Sequence, residues 1–131
     1  DGKSFGKGSR IIKYEYDMPA VLAAADLIIC RAGAVSLAEL AARELPSILI
    51  PYPYASGDHQ TFNARVFVKA EAAKMIADKY VTEKELIQDI NDFRHQPETL
   101  ERMSEATKKI KKIYAGVDIA QLALEMTENK K

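Results

Sequence analysis

Two short apolar runs, Leu27 to Cys30 and Ser47 to Ile50, each sit between stretches of helical character. A run this short with no alternation of polar residues has no face to offer water, so each reads as a buried strand of a parallel sheet. The flanking residues agree. Met18 to Ala25 reads as a helix with Asp17 as N-cap and Pro19 in its first turn, where a missing N–H costs nothing. Val35 to Arg43 carries Ala, Leu and Glu with apolar residues at helical spacing, and Pro46 stops it. His59 to Glu71 is a further helix with Asp58 as its expected N-cap, and Lys74 to Ile76 a further short strand. Ile11 to Tyr16 also reads as a strand. Helices are expected over Glu83 to Phe93, with a Thr82/Glu85 capping box, and over Glu98 to Tyr114 and Asp118 to Met126. Strand alternating with helix is the pattern of a Rossmann-like parallel α/β sheet flanked by helices.

The 131 residues, 47% hydrophobic and 29% charged, suffice for one domain with one core. Residues 1–10, with three glycines and two serines, read as a linker or an added remnant, leaving 11–131 as the domain. Lys plus Arg and Asp plus Glu are 19 each, so no net charge draws the chain to nucleic acid. Cys30 is the only cysteine, which excludes an internal disulfide and points to a reducing compartment, and its spacing to the two histidines fits no zinc site. No apolar stretch approaches the ~18 residues that cross a bilayer.

Ligands of open parallel sheets bind beyond the carboxyl ends of the strands, which directs attention to Tyr14–Asp17, Arg31–Ser36 and Pro51–Gln60. In the second, Gly33 follows a buried strand and opens a helix, so the amides of Ala34, Val35 and Ser36 form a cradle for an anion such as phosphate, with the Ser36 hydroxyl beside them. The same turn also serves simply to connect a strand to a helix. Glu39, one turn further on, has the reach to accept hydrogen bonds from the two hydroxyls of a ribose; it is equally placed to pair with Arg43 at i+4. His59, Gln60 and Asn63 form a polar run whose amides suit sugar hydroxyls, while each alone is an ordinary surface or turn residue.

The run from Ala24 to Ala34 with its Arg31-Ala32-Gly33-Ala34 turn, then Glu39, Pro46 to Pro51, His59-Gln60 and Asn63-Ala64, closely resembles the C-terminal half of MurG-type UDP-N-acetylglucosamine transferases. The resemblance extends from about Ile11 to the C-terminal helix. It implies part of the nucleotide-sugar domain of a GT-B glycosyltransferase. The implied reaction transfers GlcNAc from UDP-GlcNAc to lipid I, giving lipid II in peptidoglycan synthesis, with inversion and with neither a cofactor nor a DxD metal site. It further implies a cytoplasmic enzyme, peripheral on the inner membrane. Carried over by position, Gly33, Ala34, Val35 and Ser36 meet the diphosphate and sugar, Glu39 the ribose, and His59 and Gln60 the GlcNAc hydroxyls. Asn63 supports their loop, Tyr14 and Glu15 stand at the uracil-binding strand end, and Arg31 braces the loop or faces the diphosphate.

The chain departs from the family pattern in two ways. Glu44 stands where the family has glycine before Leu-Pro, so the helix is expected to end without a left-handed glycine cap. The acceptor domain with its Gly-Gly-Thr-Gly-Gly-His loop, which carries the presumed general base, has no counterpart here, so no catalytic residue is expected in this chain. Alone it should bind donor weakly or not at all and turn nothing over. Two other readings remain open: a donor-binding subunit of a split transferase, and a non-enzymatic nucleotide-binding module. An open sheet edge is further expected to drive self-association or to be filled by residues 1–10. The basic run Lys108, Lys109, Lys111 and Lys112 offers contact with anionic lipid or is a solvated face.

Overall fold

The computed structural model of the chain describes residues 6–111. Three strands, β1 (Ile28–Cys30), β2 (Ser47–Leu49) and β3 (Ala73–Met75), form a parallel sheet in the order β1-β2-β3. Residues Ile28, Ser47 and Ala73 lie in register, as do Cys30, Leu49 and Met75. Because side chains alternate along a strand, these six share one face. That face packs against Leu37, Leu40 and Ala41 of α2 (Ala34–Arg43) and Ala64 and Phe67 of α3 (His59–Lys69). Ile48 and Lys74 belong to the other face, where Lys74 Nζ donates to Asp89 Oδ1 of α4 (Glu83–His95) at 2.5 Å. The sheet is thus covered on both sides, which is why β2 is buried at all three positions.

The strand expected over Ile11 to Tyr16 does not form. Its apolar residues stand out in solvent: Ile11, Tyr14 and Tyr16 are all well exposed, and no described strand lies alongside to take their backbone hydrogen bonds. Local β propensity without a ladder partner leaves a strand's N–H and C=O groups to water. Residues 6–10 add no strand either, so the outer edge of β1 is unpaired among the described residues. The remaining strands and helices form within a residue or two of expectation. α1 (Met18–Ala24) begins as expected, with the Asp17 carboxylate accepting from the Ala20 N–H at 3.2 Å and a proline in the first turn. Thr82 Oγ1 accepts from the Glu85 N–H at 3.1 Å, which is one half of the capping box. A further helix runs from 97 as far as 111; the rest of the expected Glu98–Tyr114 helix and that over Asp118–Met126 lie outside the described residues.

Left-handed residues stand at both ends of α3 and at the end of α2. Asp58 stands at the N-cap position of α3 as expected, but its backbone is left-handed (φ 54°) and its carboxylate accepts from the Thr61 hydroxyl at 2.6 Å and from no main-chain N–H. α2 ends without a glycine cap, as expected, yet Glu44 itself takes up the left-handed conformation at φ 57°, ψ 37°; the Leu45 N–H then reaches back to the Leu40 carbonyl at 3.0 Å. α3 closes in the same manner, with Glu71 at φ 63° and Ala72 donating to Phe67 at 2.9 Å. The backward hydrogen bond, plus burial of the apolar residue that makes it, outweighs the ~1–2 kcal/mol that a side chain adds in this region. Removing the Glu44 side chain gives up only a half-exposed contact to Lys111 Nζ at 3.3 Å. Glu44→Gly is therefore expected to stabilise the fold by about 1 kcal/mol, read as a higher urea midpoint. An unchanged or lower midpoint would contradict this account of the cap.

Candidate functional site

The carboxyl ends of all three strands open on one side of the sheet, and the candidate residues gather there around the start of α2. Gly33 is the N-cap of that helix and offers no side chain to its first N–H groups; its own carbonyl accepts from the Leu37 N–H at 3.0 Å. The N–H groups of Ala34, Val35 and Ser36 have no partner among the described residues, and Ala34 and Val35 are exposed. Three donors pointing the same way at the positive end of a ten-residue helix can hold an anion. Gly33 itself has an ordinary φ of −67°, so the turn does not demand glycine. What glycine leaves is room. A Cβ there would sit 3.7 Å from Gln60 Nε2, in the space between the amide cradle and α3.

Gln60 stands in the first turn of α3, on the stripe that continues through the buried Ala64 and Phe67. Its Oε1 accepts two backbone N–H groups, from Ala32 at 3.2 Å and from Tyr52 at 2.9 Å. Two donors on one atom fix which end of the amide is oxygen, so the NH2 faces Gly33. Gln60 thereby ties the loop after β1 to the loop after β2 and presents a donor pair toward the cradle. His59 is exposed, its ring lying over Gly57, where a Cβ would come within 3.1 Å of Nε2. Asn63 is half-buried, and its side chain makes no hydrogen bond to another described residue.

Arg31 braces the loop. Its Nη1 donates to the Ile50 and Pro51 carbonyls at 3.4 Å each and to Asp78 Oδ1 at 2.5 Å, and its guanidinium lies 5.6 Å from the centre of the Tyr52 ring. Glu39 is exposed and pairs with no cation, Arg43 included, among the described residues. Its carboxylate lies close enough to Cys30 to act on the thiol, which is pushed up by burial first and by the Glu39 charge second. The thiol is therefore held neutral at pH 7. A raised folded-state value means that Cys30 favours folding below its unfolded value, and that this contribution is lost as pH rises through the folded value. Alkylation by iodoacetamide is expected to be slow at pH 7–8 and faster in Glu39→Gln, which removes the second cause. An unchanged rate in that variant would place Glu39 away from the end of β1.

Tyr14 and Glu15 do not join this group. The two residues make no hydrogen bond or ring contact with the other candidates: Tyr14 meets the Tyr16 ring edge-on at 4.8 Å, and Glu15 accepts from the Asp17 N–H at 2.8 Å. Conversely, the site includes Asp78, which has no sequence signal, and Tyr52, which the sequence marks only as part of the Pro51–Gln60 loop. Asp78, in the single 3₁₀ turn Asp78–Tyr80 after β3, anchors Arg31, and Tyr52 supplies a main-chain donor to Gln60 and a ring beneath Arg31. The rule that ligands gather at strand ends applies equally to β3, and would have drawn in its following turn.

A parallel sheet covered on both faces, with an amide cradle at the end of β1 and polar side chains converging from α2 and α3, defines an α/β domain of the GT-B glycosyltransferase kind. The chain belongs to glycosyltransferase family 28: the profile of that family's C-terminal domain matches residues 1–117. It is 46% identical over 121 residues to the UDP-N-acetylglucosamine–N-acetylmuramyl-(pentapeptide) pyrophosphoryl-undecaprenol N-acetylglucosamine transferase of Syntrophus aciditrophicus, covering 92% of this chain and 34% of that protein. To the transferase of the same name from Desulforamulus reducens it is 47% identical over 113 residues, covering 86% and 30%. The crystal structure of Acinetobacter baumannii MurG superposes with a TM-score of 0.65 at 28% identity, over 79% of this chain and 32% of that one. The chain thus spans about a third of the length of the relatives it matches.

Proposed function

We propose that this chain is the donor-binding part of a glycosyltransferase that moves GlcNAc from UDP-GlcNAc to lipid I, forming lipid II. The observation that carries the reading is the set of three N–H groups at the start of α2 that have no partner among the described residues, flanked by the Glu39 carboxylate, likewise unpaired among them, and the fixed Gln60 amide. The diphosphate sits against the amides of Ala34, Val35 and Ser36, where the helix end and the Ser36 hydroxyl stabilise negative charge. Glu39 accepts from the ribose hydroxyls, and the Gln60 NH2 with His59 meets the GlcNAc hydroxyls. As the bond to the anomeric carbon breaks, charge builds on the departing diphosphate, and fixed main-chain donors stabilise it without reorganising. The acceptor hydroxyl and the base that deprotonates it come from outside this chain, on a protein acting at the cytoplasmic face of the membrane.

Titration of the 131-residue chain with UDP-GlcNAc, followed by backbone amide shifts, tests this reading. Perturbations should concentrate at Ala34, Val35, Ser36, Glu39 and Gln60. Glu39→Ala should weaken UDP by ~1–3 kcal/mol through loss of charge-assisted hydrogen bonds. Perturbations confined to another part of the molecule, or full affinity in Glu39→Ala, would overturn the assignment. Lipid II formation by the chain alone, at the rate of a two-domain enzyme, would overturn the division of labour.

A further inference from the structure

The Gln60 carboxamide is held by two N–H groups, and each belongs to a residue next to one that Arg31 fixes. Ala32 follows Arg31 itself; Tyr52 follows Pro51, whose carbonyl accepts from Arg31 Nη1 at 3.4 Å. Beyond the main-chain hydrogen bond from the Ile50 N–H to the Cys30 carbonyl at 2.9 Å, the Arg31 guanidinium is a side-chain tie between these two loops, and where it rests bears on the spacing of the Ala32 and Tyr52 amides and so on the direction of the Gln60 NH2. The guanidinium's contacts to Ile50 and Pro51 are long, and the Tyr52 ring lies 5.6 Å away. The short contact is to Asp78 Oδ1, at 2.5 Å. Asp78 belongs to the turn after β3, so one carboxylate links the ends of β1, β2 and β3.

We propose that Asp78 is a positioning residue: by anchoring Arg31 across the three strand ends it aims the Gln60 amide at the donor sugar, and so governs the preference for a nucleotide sugar over the bare nucleotide. This rests on the donor-site reading above. Arg31 and Asp78 are both partly exposed, at 49% and 39%, so the pair adds little to global stability, and its loss acts on the site. The amides at the start of α2 and Glu39 do not touch Asp78. UDP alone, which lacks the sugar, is therefore indifferent to it.

The experiment compares the wild-type chain with Asp78→Asn, which keeps the side chain's shape and removes its charge, and with Asp78→Ala. In the ligand-free proteins, the Gln60 side-chain NH2 and the Tyr52 backbone N–H resonances should move in both variants, while the Ala34–Ser36 amides stay in place. In titrations, UDP-GlcNAc should bind about fivefold more weakly to either variant, with UDP unchanged within about twofold. Unmoved Gln60 and Tyr52 resonances, or equal losses for UDP and UDP-GlcNAc, would overturn the role of Asp78 alone. Shifts from both ligands that fall elsewhere on the wild-type chain, with Ala34–Ser36, Glu39 and Gln60 unmoved, would instead overturn the donor-site reading, and this inference with it.

Discussion

Gln60→Ala is expected to damage both the fold and the proposed donor site, and a second substitution separates the two effects. In the wild type, Gln60 Oε1 is the acceptor for the Ala32 and Tyr52 N–H groups at 3.2 and 2.9 Å. Ala32 has no solvent exposure at all, so its N–H has no ready substitute when the acceptor is removed. A buried donor left without a partner costs about 1–3 kcal/mol, and that loss should appear as a lower urea midpoint. Gln60→Glu keeps an oxygen for both N–H groups and replaces the NH2 with a second acceptor. It should recover most of the midpoint while losing the proposed contact to the sugar, and it adds a negative charge near the amides proposed to hold the diphosphate. UDP-GlcNAc binding should therefore fall in both variants, and stability mainly in Gln60→Ala. Equal midpoints for Gln60→Ala and wild type would show that the two hydrogen bonds do not hold the loops together.

The parts of this molecule that sequence reveals are those decided by nearby residues. β1 and β2 are recognisable because Ile28–Cys30 and Ser47–Leu49 have no polar alternation and lie between helical patterns, and α2 because Leu37, Leu40 and Ala41 repeat at helical spacing. Asp17 and Thr82 cap the helices they precede because capping is a contact three residues long. Ile11–Tyr16 has the composition of a strand, but a strand also requires a neighbour, which no local pattern can supply. The left-handed ends at Glu44 and Glu71 were illegible because the usual signal is glycine, and here the closing hydrogen bonds from Leu45 and Ala72 decide the backbone instead.

The site divides in the same way. Gly33, the amides after it and Glu39 fall within seven residues and are visible as a group. Gln60 is visible as a polar amide in a strand-end loop, but its fixed oxygen is not, since Ala32 lies 28 residues away. Asp78 is 47 residues from Arg31 and carries no motif. Long-range polar pairs leave no periodicity in a sequence. They are found only once the fold has brought the strand ends together.

Phe67→Ala is the substitution expected to cost the most stability, and its effect should reach the site through one helix. Phe67 is fully buried on the stripe of α3 that also carries Ala64 and, seven residues before it, Gln60. α3 rests on β3 and touches α2, so this ring fills the space between the sheet and both helices. Truncating it removes a large apolar contact and leaves a cavity that the backbone can only partly close, at about 3–5 kcal/mol. Against a total stability of ~5–15 kcal/mol for a domain of this size, that is a substantial share. Phe67→Leu, which keeps most of the volume, should cost much less. Because α3 is rigid over two turns, a shift at Phe67 also moves Gln60 away from the Ala32 and Tyr52 amides. Their hydrogen exchange in Phe67→Ala should accelerate beyond the increase seen in the amides of α4, which packs on the opposite face of the sheet. Uniform acceleration throughout the chain would mean that the ring supports the core as a whole without specifically holding the site, and a midpoint close to that of the wild type would show that the core closes over its loss.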